Sequence, residues 1–144
     1  NLFVATFMGS PAMNILPAKV LMVEGVPHAE ITNSTGQKTS LRFSQANMAD
    51  WQGKEILLGI RPEALTDPEG ADRKSCNIAT LQNAVDVIEP AGADTFVTTT
   101  LGGTNVIARM RADTEVASGQ VFDFAVNMEK AVVFDPKSKN RIEP

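Results

Sequence analysis

From position 14 onward, apolar residues recur in short runs rich in Val, Ile, Thr and Phe, broken at intervals by Gly, Pro, Asn and Ser. Such runs fit half-buried strands, whose side chains alternate between two faces. The pattern predicts strands over 15–23, 28–32, 39–43, 55–60, 79–88, 95–101, 105–111, 121–127 and 130–134. Turn residues separate them at Gly25-Val26-Pro27, Asn33-Ser34-Thr35-Gly36, Gly102-Gly103 and Ser118-Gly119. Gly102-Gly103 is the clearest hairpin signal, because a two-residue primed turn needs positive φ and glycine adopts it without a Cβ clash. Segment 44–51 has room for a helical turn or two and 62–65 for another. With no long helix written, the pattern argues for an all-β barrel or sandwich.

The opening "NLFVATFMGSPAMNIL" has a different period. Phe3 and Phe7 share one helical face, as do Val4 and Met8, and Gly9-Ser10-Pro11 supply the stop. A helix this short is marginal in water, and this one is apolar on nearly every side, so packing against something else must hold it.

Composition narrows the function more than the fold. The chain has 144 residues, 43% hydrophobic and 21% charged, which suits one globular domain. Its net charge of −4 is scattered and leaves no basic footprint for a nucleic-acid backbone. With Cys76 the only cysteine, a disulfide framework and a CxxC metal site are both excluded, and a reducing cytoplasm is the natural expectation. No window reaches the roughly 20 apolar residues that span a bilayer.

The search for catalytic chemistry finds none. His28 is the only histidine and sits beside Pro27 in an expected surface turn, so no Ser/His/Asp or Cys/His device can be assembled from neighbours. One His and one Cys do not make a zinc site. Asp67, Glu69 and Asp72 in "DPEGAD" lack calcium-loop spacing, and Gly53-Lys54 lacks the remainder of a phosphate-binding loop. "LGGTN" at 101–105 is read as a hairpin, and Cys76, near Arg73 and Lys74, as an ordinary thiol.

Three stretches taken in order carry a family resemblance. "FVATFMGSPAMNIL" is similar to a junction written F-V-A-x-F-I-G-S-P-x-M-N-x-L, "LLGIRPEAL" contains L-G-I-R-P-E, and "VFDFAVNMEKAVVFDPKSKNRI" ends a strand in Phe-Asp before a polar turn and a basic-Ile pair. "VIEPAGADTFV" adds a weaker fourth match. Together they resemble the carboxy-terminal transport-associated OB-like (TOBE) regulatory domain of the ATPases that drive maltose- and sn-glycerol-3-phosphate-type ATP-binding-cassette (ABC) importers. The chain departs from that pattern at Ala64, at Val132-Val133 and at Asn140, where the family commonly has His, His-Leu and Gly.

The resemblance implies an OB-like β-barrel over 14–144, preceded at 1–13 by a short junction helix and turn from a missing nucleotide-binding domain. Phe3, Phe7, Gly9, Ser10, Pro11, Met13 and Asn14 would form the interdomain junction. Gly59, Arg61, Pro62 and Glu63 would form a corner, either braced by Arg61–Glu63 hydrogen bonding or meeting a second ATPase subunit or its regulator. It further implies a regulatory and dimerisation role with no catalysis, cofactor or metal in this stretch, ATP and Mg being held by the nucleotide-binding domain. The implied partners are that domain, a second ATPase subunit and the transporter's membrane subunits, at the inner face of the bacterial plasma membrane. An oxyanion- or small-ligand-sensing barrel is the alternative. Oligonucleotide binding ranks third: there is no Tyr and a single Trp, and Phe43, Phe96, Phe122, Phe124 and Phe134 read as core residues.

Overall fold

The computed structural model describes residues 12–143. Among the described residues, eleven strands lie in three antiparallel sheets. The first is five-stranded, in the order β11 (Val132–Phe134), β4 (Glu55–Ile60), β1 (Asn14–Val23), β2 (Val26–Thr32), β3 (Lys38–Arg42). The second orders β5 (Leu65–Thr66), β10 (Val121–Asn127) and β6 (Ile78–Ala84), and the third β7 (Val87–Ala91), β8 (Asp94–Leu101) and β9 (Thr104–Arg111). The expected all-β, OB-like class holds. The N-terminal helix expected at 1–13 falls almost wholly outside the described residues.

Strand β1 shows how the pattern becomes a core. Asn14, Leu16, Ala18 and Val20 are buried while Pro17 and Lys19 are exposed, the period of two a half-buried strand requires. Leu16 and Val20 join Ile31, Leu41, Leu58, Leu81, Val97, Val106, Phe124 and Val126 in one hydrophobic cluster that draws on all three sheets. Pro17 cannot donate to a ladder, yet β1 lies between two strands. The register resolves this: β4 pairs with β1 from Asn14 to Lys19, whereas β2 pairs with it only from Lys19 onward. Pro17 therefore has a ladder on one side only, and the β8–β9 hairpin tip closes on it, a Cβ at Gly102 falling 3.1 Å from Pro17 Cγ.

Several boundaries differ from the sequence expectation. The β1–β2 turn is Glu24-Gly25, at φ 52° and 81°, so Val26 and Pro27, expected in the turn, belong to β2 ahead of His28. The expected strand 79–88 is two strands in two sheets. Val85 N–H donates to Gln120 O, beside β10, whereas the next amide, Asp86, donates to Thr98 O in β8. The chain changes partners between consecutive residues, which periodicity alone does not reveal. Strand β5 was not anticipated, and the last expected strand is shortened by a 3₁₀ turn at Met128–Lys130. The turns at 44–51 and 62–65 appear as 3₁₀ turns at Ala46–Trp51 and Pro62–Ala64. Gly102 and Gly103, at φ 58° and 75°, form the expected hairpin.

Candidate functional site

Met13, of the junction set, and Gly59, of the motif set, meet where β1 enters the five-stranded sheet. Phe3, Phe7, Gly9, Ser10 and Pro11 lie outside the described residues. Met13 and Asn14 are buried, at 9% and 7% exposure. A Cβ placed on Gly59 would lie 2.6 Å from Met13 Sδ, 2.8 Å from Val132 Cγ2 and 3.1 Å from Phe134 Cε2. Gly59 is thus the gap over which β1's entry and β11 pack. Asn14 points the other way: its Nδ2 donates to Ile107 O at 2.8 Å and its Oδ1 accepts from Ile107 N at 2.9 Å. One side-chain amide replaces a backbone rung and ties β1 to β9.

Arg61 is extended, at φ −71° and ψ 150°, as a residue before proline must be, and Pro62 opens a 3₁₀ turn in which Ala64 N–H donates to Arg61 O at 2.9 Å. The corner carries the chain from β4 in the first sheet to β5 in the second. Pro62 is buried, while Arg61 and Glu63 are exposed and make neither an ion pair nor a hydrogen bond with each other. The mutual bracing expected of them is absent. An exposed pair is worth about 0–1 kcal/mol against the entropy of holding two long side chains, so little compels it.

Bracing is found one turn further on. Asp67, 2% exposed, accepts from Arg111 N at 3.2 Å, Arg111 Nε at 2.9 Å, Gly70 N at 3.1 Å and Thr66 Oγ1 at 3.1 Å. Burial by itself pushes its carboxyl up, but the Arg111 and Thr66 donors outweigh that and hold it below the ordinary aspartate value. Two further buried amides join the sheets. Asn83 Nδ2 donates to Thr99 Oγ1 and Thr100 O, while its Oδ1 accepts from Ser34 N and Oγ. Asn77 Nδ2 donates to Arg42 O and Ser44 Oγ. Sequence reasoning missed Asn77 and Asn83 and considered Asp67 only as a metal ligand; their settings, SCNIA, LQNAV and LTDPE, do not set them apart from surface polar residues.

The corner also forms one wall of an open groove of about 810 Å³. The other walls are the loop 44–47, the turn at Met128–Lys130 with the start of β11, and Arg141 on the C-terminal tail. Glu129, in that wall, accepts from Ser75 Oγ and Cys76 N–H, which holds its carboxyl below the usual glutamate range. Among the described residues no group of His, Cys, Asp and Glu has a metal-holding arrangement, and no helix is long and apolar enough to cross a membrane.

Comparison with known proteins places this architecture. The family model described as the MalK OB fold domain matches residues 9–65, and the TOBE domain model matches residues 58–134, more than half of the chain. The sn-glycerol-3-phosphate import ATP-binding protein UgpC of Chromobacterium violaceum is 35% identical over 149 residues, covering 98% of this chain and 35% of the relative. The trehalose/maltose import ATP-binding protein MalK of Thermococcus litoralis is 30% identical, covering 94% of this chain and 36% of its own length. The oligosaccharides import ATP-binding protein MsmX of Bacillus subtilis is 30% identical, covering 99% and 38%. This chain therefore spans little more than a third of the curated relatives it matches. Among solved structures, the cytoplasmic molybdate-binding protein ModG aligns with a TM-score of 0.52 at 18% identity, covering 83% of this chain and 94% of that one, a likeness of fold alone.

Proposed function

Since the chain belongs to the TOBE domain family, with a MalK-type OB fold in its first half, we propose that it is the carboxy-terminal regulatory and dimerisation domain of the ATP-hydrolysing subunit of an ABC importer for carbohydrates or glycerol phosphate. The observation that carries this reading is an end-to-end match: 98% of this chain aligns with about a third of a glycerol-3-phosphate import ATP-binding protein. In this reading, ATP and Mg bind a nucleotide-binding domain preceding residue 14, and catalysis resides there. The partners are that domain, a second copy of the subunit and the importer's membrane subunits, on the cytoplasmic face of the plasma membrane.

The geometry suits a domain that stays rigid while others move. Asn14, Asn83 and Asp67 fasten the sheets through buried polar contacts, so the body can transmit a rotation without deforming. A two-fold contact between such bodies uses the same patch from each copy and serves as a pivot.

A chimaera tests the proposal: this chain replaces the matching third of a glycerol-3-phosphate import ATP-binding protein, and uptake and sedimentation are measured. Restored uptake with a dimeric ATPase is the expected result. A chimaera that folds and hydrolyses ATP yet sediments as a monomer and imports nothing overturns it.

A further inference from the structure

We propose that the groove beside the Arg61-Pro62-Glu63 corner is a binding site for a small phosphate ester bearing hydroxyl groups, with Arg61, Lys130 and Arg141 as the anion-holding side chains. The inference goes beyond the regulatory reading and does not depend on it.

The three cations come from separate parts of the chain: the corner after β4, the turn before β11 and the C-terminal tail. All three are exposed on one groove. Among the described residues, ion pairs join Lys38 to Glu30, Arg109 to Asp94, and Arg111 to Asp67, Glu69 and Asp113; none involves these three. Nor do their side chains donate a hydrogen bond to any described residue, although the molecule carries a net charge of −4 and has carboxylates in excess. Cations that line one concave surface without a partner of their own attract an anion. Guanidinium groups match a phosphate through paired N–H donors, which a lone lysine does not.

The polar remainder of the groove selects for more than charge. Glu129 is engaged by Ser75 and Cys76 and keeps its charge, so the three cations exceed the two carboxylates of the groove by one, while Glu63 is an open acceptor. Gln45 Nε2 donates to Ala131 O at 3.1 Å and fixes that wall. A ligand hydroxyl supplies the donor that Glu63 lacks, whereas a bare oxyanion supplies none. The walls are already fixed: Asn47 Nδ2 donates to Glu143 O at 2.7 Å, Ile142 N–H to Val133 O at 2.7 Å, and Arg141 bridges Phe134 through the backbone. About 810 Å³ is within the size range of small-molecule sites.

Amide NMR on the 144-residue chain tests the site, with glucose 6-phosphate, inorganic phosphate, glucose and a glutamate-rich peptide added at matched ionic strength. Saturable shifts confined to 44–47, 61–63, 129–132 and 141 are expected with glucose 6-phosphate, with weaker binding of phosphate and none of glucose. Arg61→Gln and Lys130→Gln, at exposed side chains bonded to no described residue, should each weaken binding about tenfold, and Arg73→Gln, outside the groove, should leave it unchanged. The proposal is overturned by any of three results. These are no saturation by about 10 mM ester, a millimolar affinity; equal binding by the Arg61→Gln and Lys130→Gln variants; or saturation by the acidic peptide and not the ester.

Discussion

Gly59 shows how one missing Cβ organises a neighbourhood. Met13, Val132 and Phe134 crowd the space a methyl group would occupy, and Val132 is branched next to its own backbone, so it cannot step aside. Gly59→Ala should therefore cost about 1–3 kcal/mol through overpacking. At an open strand position the same change would instead stabilise, by about 0.5–1 kcal/mol. The sign of the shift in urea midpoint, at unchanged slope, decides between them, and a raised midpoint refutes the packing argument. The motif around Gly59 was legible in the sequence. The reason for it was not, because its three neighbours come from β1's entry and from β11, distant along the chain.

Among the elements, the tie between β1 and β9 rests on the Asn14 amide rather than on a ladder. Asn14→Ala removes both hydrogen bonds and leaves the half-buried Ile107 N–H and C=O without these partners, a loss of about 1–2 kcal/mol. Hydrogen exchange at the Ile107 amide should speed up well beyond that of the Val97 amide in β8, and equal protection in both proteins would contradict the role assigned to Asn14. Asn14→Asp, which sets a buried carboxylate oxygen against Ile107 O, should cost at least as much as Asn14→Ala. Strand existence was mostly legible, since an alternating run and a glycine turn are local properties. The break at Val85-Asp86 was not: the run 79–88 is continuous in pattern, and only the places of β8 and β10 decide which residue bonds to which.

At the scale of the whole molecule, acid sensitivity follows from Asp67. Its folded carboxyl titrates below the ordinary value of 3.8, so its contribution to stability is fully present above the unfolded value and is lost as pH falls through the lower, folded one. With Arg111 about half exposed, solvent screening limits that contribution. Asp67→Asn loses charge-assisted hydrogen bonds and should lower stability at pH 7 by about 1–3 kcal/mol, and the gap between the two proteins should narrow as the pH drops below about 4. Urea denaturation at pH 7 and pH 3 measures it; a gap that is constant with pH would assign the effect to packing. The sequence by itself determined the strand-rich class, the Gly102-Gly103 hairpin and the family motifs, because side-chain alternation and backbone conformation are set by residues next to one another. Only the tertiary structure decided that Asn14, Asp67 and Asn83 fasten the sheets and that Arg61, Lys130 and Arg141 share a groove. Those contacts join segments brought together by sheet packing, and no local pattern records a hydrogen bond or a charge cluster made across the fold.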